Sequence, residues 1–568
     1  MVLSHIFELL LSSCSQIRKL GVKLFPSQNE VHGRNPNVVE WAFSGNYDPD
    51  TVVLIDASNT ERTLSKREVV QLVTRLAGAF KPGSVVCLHL PNDILYPVLV
   101  LAILASGCQW TGPNTSYKQY ELDHHLRYSL ATYVVTSAEH LDSMETVTAN
   151  LDADVEIILF SDILKPFIEP KHPNLGYRTL HDLAKLHIPL NTLTPLSQRL
   201  ERVHPQAPAT LMSTSGTTGF PKMADRSHEA LVTESASDEQ YDANQSYAIR
   251  RLFCTPIFHS YSFPKMIINP LRQGYPTYFM TRFDDSFAQR IADFNITDII
   301  TVPPILSRLA ARVQEGELDR AALTSLRTVL CAGAPLTKEL REEFLDVLHK
   351  EAVLVQEWGM TECGCITRMH WSQDQTDTYG SVGQVVGGYQ VTMDKVSQFQ
   401  LADGRVVAEL LARGPQMMTG YFNNADATAQ AFAPGSWYRT GDVGYLENQA
   451  DGTAFVYIMD RVKDIIKTNG WQVSPAELEA VAKRCPGITD ACAVSVGYGV
   501  DERPRIFTVR VNKDVSEKDL IDYLGLHLSR HKIARCEVRF IDSLPRAPSG
   551  KVLRRMLRVE MEKEGSDD

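Results

Sequence analysis

Along the chain, helical and extended hydrophobic patterns take turns. In "KREVVQLVTRLAGAF" the positions Val69, Val73, Leu76 and Phe80 fall on one face of a 3.6-residue period, which predicts an amphipathic helix. "SVVCLHL", Ser84 to Leu90, then reads as a buried strand, followed by "TYVVTS" near Val134 and "VEIILF" at Val155 to Phe160. "DIITV", "LRTVLCAG" and "AVLVQ" continue the series further on. Strands alternating with helices predict α/β architecture with largely parallel sheets. The longest apolar stretch, "ILYPVLVLAILASGC" from Ile94 to Cys108, is too short to span a bilayer comfortably and carries a proline, so a buried core helix is expected.

The texture changes after about Gln400. "VVAELLARG", "GTAFVYIMD" and turn-rich intervals predict a smaller β-rich unit. From Asp460 onward the order is helix "SPAELEAVAKRC", strands "ACAVSV" and "IFTVRV", helix "EKDLIDYLGLHLSRH" and strand "CEVRFID". That is a compact α+β unit of ordinary domain size. The expected division is 1–459, a large domain of parallel-rich sheets with helices plus a β-rich subdomain, and 460–568, a small mobile α+β domain.

Composition narrows the function classes. The 568 residues carry a net charge of −11 and are 44% hydrophobic, enough for sizeable cores. The length corresponds to roughly three to five domain-sized units. An acidic balance argues against a general nucleic-acid binder while leaving room for a local basic pocket. The ten cysteines include no CxxC pair, and reduced, buried thiols are expected. The N-terminal "MVLSHIFELLLSSCSQIRKL" lacks a basic lead and a cleavage pattern and reads as a docked surface helix. The ending "EKEGSDD" is not a peroxisomal tripeptide. With no transmembrane segment recognised, a soluble, cytoplasmic protein is expected.

Candidate chemistry concentrates first in "PATLMSTSGTTGFPK", where a short apolar strand runs into small residues. Glycines allow close backbone approach, successive amides can form an anion nest, and Lys222 adds charge. The spacing G-T-T-G-F-P-K is not that of a Walker A loop. On these residues alone, a phosphate cradle and a Ser/Thr/Gly-rich turn both remain open.

Further motifs follow in order: "QEWGMTECG" at Gln356 to Gly364, "YRTGD" at Tyr438 to Asp442, "DRVKDIIKTNGWQVSPAELE" from Asp460, and "LPRAPSGK" ending at Lys551. Together with the first loop they resemble the adenylate-forming superfamily of acyl- and aryl-CoA synthetases, luciferases and peptide-synthetase adenylation domains, through nearly the whole chain. The resemblance implies ATP-phosphate contacts at Thr214, Ser215, Gly216, Thr217, Thr218 and Lys222. It also implies ATP or AMP contacts at Gln356, Glu357, Trp358, Thr361, Asp442, Arg461, Lys463, Lys467 and Lys551. Among these, Trp358 matches an aromatic near adenine, Thr361 a phosphate-contacting hydroxyl, Asp442 a ribose contact, and Arg461 a second ribose or phosphate contact. Glu362 matches the acid near Mg²⁺, an ion that favours carboxylate and phosphate oxygens. Lys551 matches the lysine that bridges the substrate carboxylate and the α-phosphate. A preorganised ammonium there stabilises the charge that builds during attack. "Met223-Ala224-Asp225-Arg226" departs from relatives, which have Gly followed by apolar residues.

Within the superfamily, "TPIFHSYSF" places His259 after Phe258, where amino-acid adenylation domains usually have aspartate. This is similar to coumarate- and fatty-acyl-CoA ligases, and it implies that His259 lies beside the acyl pocket and helps control thiol entry. By the same resemblance Lys467 and Gln472 serve thioester formation, and Arg282, Asn469 and Gly470 serve CoA. The acyl pocket is expected at Ser260, Tyr261, Val302, Cys331, Gly333, Gly359 and Cys363. Cys363 and Cys365 are too few ligands for a zinc site. The implied function is an ATP-dependent ligase that activates a carboxylic acid as acyl-AMP and transfers it to CoA, with ATP, Mg²⁺ and CoA as cofactors or substrates. Two alternatives are loading of a partner carrier protein and a non-catalytic nucleotide-binding relative. The intact Lys551, Glu362 and Asp442 argue against the second.

Overall fold

The structure is a computed structural model. It describes residues 35–165, 176–214, 221–334, 336, 338–371, 380–400, 405–449, 453–461, 464, 466–468, 471–473, 475–497, 503–511, 514–528, 530–533, 535–546, 552–554 and 556–557. The expected N-terminal surface helix lies outside them.

Two large sheets carry the N-terminal part. In the first, Val85–His89, Gln109–Thr111, Tyr133–Thr136, Glu156–Leu159, Arg178–Thr179 and Pro208–Ser213 pair in parallel. Met223–Ser227 returns antiparallel beside Pro208–Ser213. Gly420–Tyr421 pairs antiparallel with Met223–Ser227 as the edge of this eight-stranded sheet. The candidate phosphate loop is therefore the connection of an antiparallel hairpin at a sheet margin.

The second sheet has 15 strands among the described residues. Val52–Asp56, Thr277–Phe279, Arg251–Phe253, Asp298–Thr301, Thr328–Cys331 and Val353–Met360 pair in parallel. From Gly364–Trp371 onward the pairing is antiparallel, through Ser381–Val385, Ala454–Arg461, Trp437–Asn448 and Val406–Arg413. The β-rich region thus begins before Gln400, and its strands are hydrogen-bonded into the same sheet as the parallel ones. A hydrophobic run on a strand does not say which way its neighbour points, so this continuity is tertiary information.

The helix Leu95–Ala105 is buried at every position. An all-round apolar helix must be enclosed by protein. Here it joins a core that includes Val86, Leu88 and Val135 from the first sheet and Leu54, Phe253 and Ile300 from the second. Each fully buried Leu, Ile or Val contributes about 1.5–3 kcal/mol, so this helix binds the two sheets together. Lys66–Leu76 is amphipathic as expected and buries Val69, Leu72, Val73 and Leu76. Ser65 and Glu68 form its capping box. Phe80 is buried but lies beyond the helix end.

Among the described residues the main sheet of the C-terminal part has three strands, Ile488–Val496, Arg503–Arg510 and Glu537–Phe540. The helices Pro475–Lys483 and Glu517–His527 cover them through Leu478, Ala482, Leu520 and Leu524, which pack with Ile506 and Val538. A separate ribbon pairs Ile466–Thr468 with Trp471–Val473. Asp460 lies in Ala454–Arg461, opposite Val443. No helix among the described residues is long and apolar enough to cross a membrane.

Candidate active site

Parallel strands place all their carboxyl ends on one side, and ligands of open α/β sheets bind there. Here the ends of Arg251–Phe253, Asp298–Thr301 and Thr328–Cys331 lead into Cys254–Pro256, Phe258, His259, Val302 and Ala332–Gly333, which line a cleft of about 1000 Å³. Ser213 and Thr214, at the end of a strand of the other sheet, line the same cleft. So do Lys222, Gly359, Thr361 and Glu362.

The margins of the phosphate loop are closed on each other. The Thr214 N–H donates to the Lys222 carbonyl at 2.8 Å, and the Lys222 N–H donates to Thr214 Oγ1 at 3.1 Å. Ser215, Gly216, Thr217 and Thr218 lie outside the described residues, as do Lys463, Asn469, Gly470 and Lys551. For Arg461, Lys467 and Gln472 the backbone alone is described: Arg461 lies opposite Asp442, and Lys467 opposite Gln472. The unusual Asp225 and Arg226 continue the returning strand. Arg226 is fully buried, donates to Glu234 Oε2 at 2.7 Å, and donates to the Gln416 carbonyl at 2.9 Å.

Trp358 and Asp442, expected at adenine and ribose, are bonded to each other: the indole N–H donates to Asp442 Oδ2 at 2.9 Å. Both are buried, and neither is on the cleft lining. Trp358 packs in a core with Tyr389, Leu410 and Val456. Gln356 is likewise buried within its strand. Glu357 reaches the cleft, but its carboxylate is engaged by Lys265 at 3.1 Å and Arg368 at 2.8 Å.

Glu362 accepts a hydrogen bond from the Tyr421 hydroxyl at 2.9 Å, and Tyr421 and Tyr438 also line the cleft. Burial and the nearby Glu362 carboxylate raise the Tyr421 hydroxyl well above its ordinary pKa, so it remains a donor. Among the described residues no cluster of three or more His, Cys, Asp or Glu forms a metal cage. Magnesium commonly takes one or two carboxylates and completes its shell with substrate phosphates and water. Glu362 beside Thr361, facing the same cleft as Lys222, fits that requirement.

His259, Ser260, Tyr261, Val302, Gly333 and Gly359 line the cleft, and Arg282 lies on its rim. His259 presents an exposed edge, while surrounding protein disfavours its charged form and lowers its pKa. The imidazole is therefore neutral near pH 7, with Nδ1 accepting from the Tyr261 N–H at 3.3 Å. Cys331 and Cys363 do not reach the cleft wall. Cys331 ends a fully buried strand and Cys363 packs with Trp358. Burial pushes both thiols up and makes them inert. Lys265 and Glu357, both on the cleft lining, meet Asp238 and Arg368 behind it in a buried four-charge network. Lys265 sits in a π-helical turn, Pro264–Ile268, directly after the "HSYSF" segment. Neither Lys265 nor Tyr421 belongs to a motif that sequence reading singles out. A lysine in an apolar run and a tyrosine in a two-residue edge strand gave no local signal.

Residues 41–422 match the AMP-binding enzyme family and residues 477–551 the AMP-binding enzyme C-terminal domain. The chain belongs to the AMP-binding enzymes. Its relatives include acyl-CoA ligase M9 of Phoma sp., 46% identical over 530 residues, covering 93% of this chain and 96% of that protein. 4-Coumarate-CoA ligase 1 of Narcissus pseudonarcissus is 30% identical over 528 residues, covering 90% and 91%. Among solved structures, ATP-bound MatB from Rhodopseudomonas palustris superposes with a TM-score of 0.76 at 23% identity, covering 93% of this chain and 99% of that one. MenE from Bacillus subtilis, in complex with ATP and magnesium ion, gives 0.70 at 23% identity, covering 92% and 99%. At these identities the structural likeness establishes the fold.

Proposed function

We propose that this protein is an AMP-forming acid–CoA ligase that works through two half-reactions in one cleft. In the first, a carboxylate oxygen bonds to the α-phosphorus of ATP, the α–β bridging bond breaks, and pyrophosphate leaves with the bond electrons. In the second, the CoA sulfur bonds to the acyl carbon, the bond to the AMP oxygen breaks, and AMP leaves. The observation that carries this reading is the joining, in a single cleft, of Thr214, Lys222 and Glu362 with His259–Tyr261.

Each end of the cleft has its task. Thr214, Lys222 and the loop between them hold the phosphates, as does Lys551. Thr361 contacts phosphate, and Glu362 would hold Mg²⁺, which when bound neutralises charge on the departing pyrophosphate. Asp442, tied to Trp358, and Arg461 serve the ribose. Ser260, Tyr261, Val302, Gly333 and Gly359 shape the acyl site. Neutral His259 accepts the thiol proton or directs the thiol's approach, and Arg282 faces the CoA phosphates. The small domain turns about Asp460 between the half-reactions, presenting Lys551 for the first and Lys467, Gly470 and Gln472 for the second. The carrier-protein alternative gains no support from relatives named as acyl-CoA ligases.

The test is acid-dependent pyrophosphate release across a panel of carboxylic acids, with and without CoA, with mass detection of products. The expected result is acyl-AMP without CoA and an acyl-CoA thioester with it. Nucleotide binding without pyrophosphate release for every acid would overturn the reading.

A further inference from the structure

Tyr421 touches both charged groups at the phosphate end of the cleft. Its hydroxyl donates to Glu362 Oε1 at 2.9 Å, and its ring face lies 4.6 Å from Lys222 Nζ. Lys222 and Glu362 come from different sheets, and this one ring joins them. The ring is itself held in place. Tyr421 pairs with Ala224 at the sheet edge, its N–H donates to Thr428 Oγ1 at 2.8 Å, and its hydroxyl meets the Tyr438 hydroxyl at 3.2 Å. The preceding turn also grips the Glu362 backbone, with the Met418 N–H donating to the Glu362 carbonyl at 2.7 Å.

We propose that Tyr421 is a positioning residue for the metal–triphosphate end of the nucleotide, with its hydroxyl setting the Glu362 carboxylate and its ring setting Lys222. The hydroxyl occupies Oε1 and so presents Oε2 to a cation. The ring face attracts the ammonium and restrains a side chain that otherwise has four free torsions. Partners that orient a metal-binding group are worth about 10–100-fold in metal affinity. The inference rests on the ligase reading for the identity of the nucleotide, but it is tested without acid or CoA.

The experiment measures Mn²⁺ binding to the full chain saturated with a non-hydrolysable ATP analogue, by electron paramagnetic resonance of free Mn²⁺. Analogue affinity in EDTA is measured in parallel. Tyr421→Phe keeps the ring and loses the donor; the expected result is Mn²⁺ affinity about tenfold or more weaker with analogue affinity in EDTA unchanged. Tyr421→Leu loses both contacts and weakens analogue binding in EDTA as well, by severalfold. In a Glu362→Gln background, Tyr421→Phe adds nothing further, because the two residues act as one unit. Glu362→Asp draws the carboxylate away from an intact tyrosine and reproduces the metal defect, which covers the case of a poorly folded Tyr421 variant. Mn²⁺ affinity within twofold of the parent for Tyr421→Phe and Glu362→Asp, or equal losses in both backgrounds, would overturn the proposal. Failure of every acid to release pyrophosphate would instead count against the ligase reading and leave these binding results standing.

Discussion

The two walls of the cleft are built on opposite plans. The phosphate wall faces inward with polar and charged groups, Thr214, Lys222, Thr361 and Glu362, and these are cross-linked by Tyr421. The acyl wall faces inward with Val302, Gly333, Gly359 and the edges of Ser260 and Tyr261. What supports each wall is reversed. The phosphate-side sheet is backed by neutral, buried His89 and His125. The acyl wall is stiffened by a charge network, Lys265 and Glu357 on its lining and Asp238 and Arg368 behind it. A wall that binds charge directly must keep its groups fixed and hydrated until the ligand arrives. A wall that binds by shape can be stiffened by an ion network, since its ligand makes few directional demands.

The contrast is broken most severely in the charge network of the acyl wall. Lys265→Met leaves Asp238 and Glu357 with Arg368 as their only cation in the network, and removing one partner of a buried charge group costs about 3–5 kcal/mol. Urea unfolding should show that loss, with thioester formation falling with the folded population. Restoring stability by Lys265→Arg is expected to be partial, because the guanidinium is larger than the space an ammonium leaves.

On the opposite wall the expected effect is on rate and not on folding. Lys222→Ala removes a fixed positive charge from the phosphate end and should lower acid-dependent pyrophosphate release about 100-fold. The urea midpoint should stay close to the parent value, since Lys222 is on the cleft surface and not in the core. An equal loss of stability would erase the distinction between the walls.

Acid sharpens the comparison from behind the phosphate wall. Burial lowers His89 to about 4 and His125 to about 3. Their folded pKa values lie below the unfolded value, so the unfolded chain binds more protons as pH falls below about 6.5. Stability is therefore fully retained at neutral pH and declines from about 6.5 toward 4, by about 2.5 kcal/mol per histidine at pH 4.5. A urea series at pH 7, 5.5 and 4.5 measures the slope, and His125→Gln should flatten it.

The smallest expected effect separates two glycines of the acyl wall. Gly333 has φ +85, and an added Cβ would meet only Val302 Cγ1 at 3.6 Å. Gly333→Ala should cost about 1 kcal/mol of backbone strain and shift preference toward slimmer acids in the panel. Gly359 is different: its Cβ would meet the Gly364 carbonyl oxygen at 2.2 Å. There alanine should destabilise the strand pair itself, lowering activity toward all acids alike.

Much of this protein was legible in its sequence. An unbroken apolar run located the buried helix Leu95–Ala105, and hydrophobic patterns located the parallel strands around Val85 and Val329 and the C-terminal α+β unit, because burial imposes its pattern locally. Contiguous motifs identified the family, since a phosphate loop or a "HSYSF" segment keeps its chemistry within a few neighbouring residues. Other facts depended on pairs far apart in the chain. Trp358 and Asp442 are 84 residues apart and share a hydrogen bond, and Glu362 and Tyr421 are 59 apart. Cys331, at the end of a buried strand, and Cys363, in the turn that packs against Trp358, are turned away from the cleft by tertiary packing, not by their place in a motif. The side-chain period of a strand says which residues share a face but leaves its neighbour and register undetermined. The tertiary structure decided those when the parallel and antiparallel strands joined one sheet, and the packing of that sheet's Glu362 turn against the edge of the other brought the Lys222, Glu362 and Tyr421 side chains together.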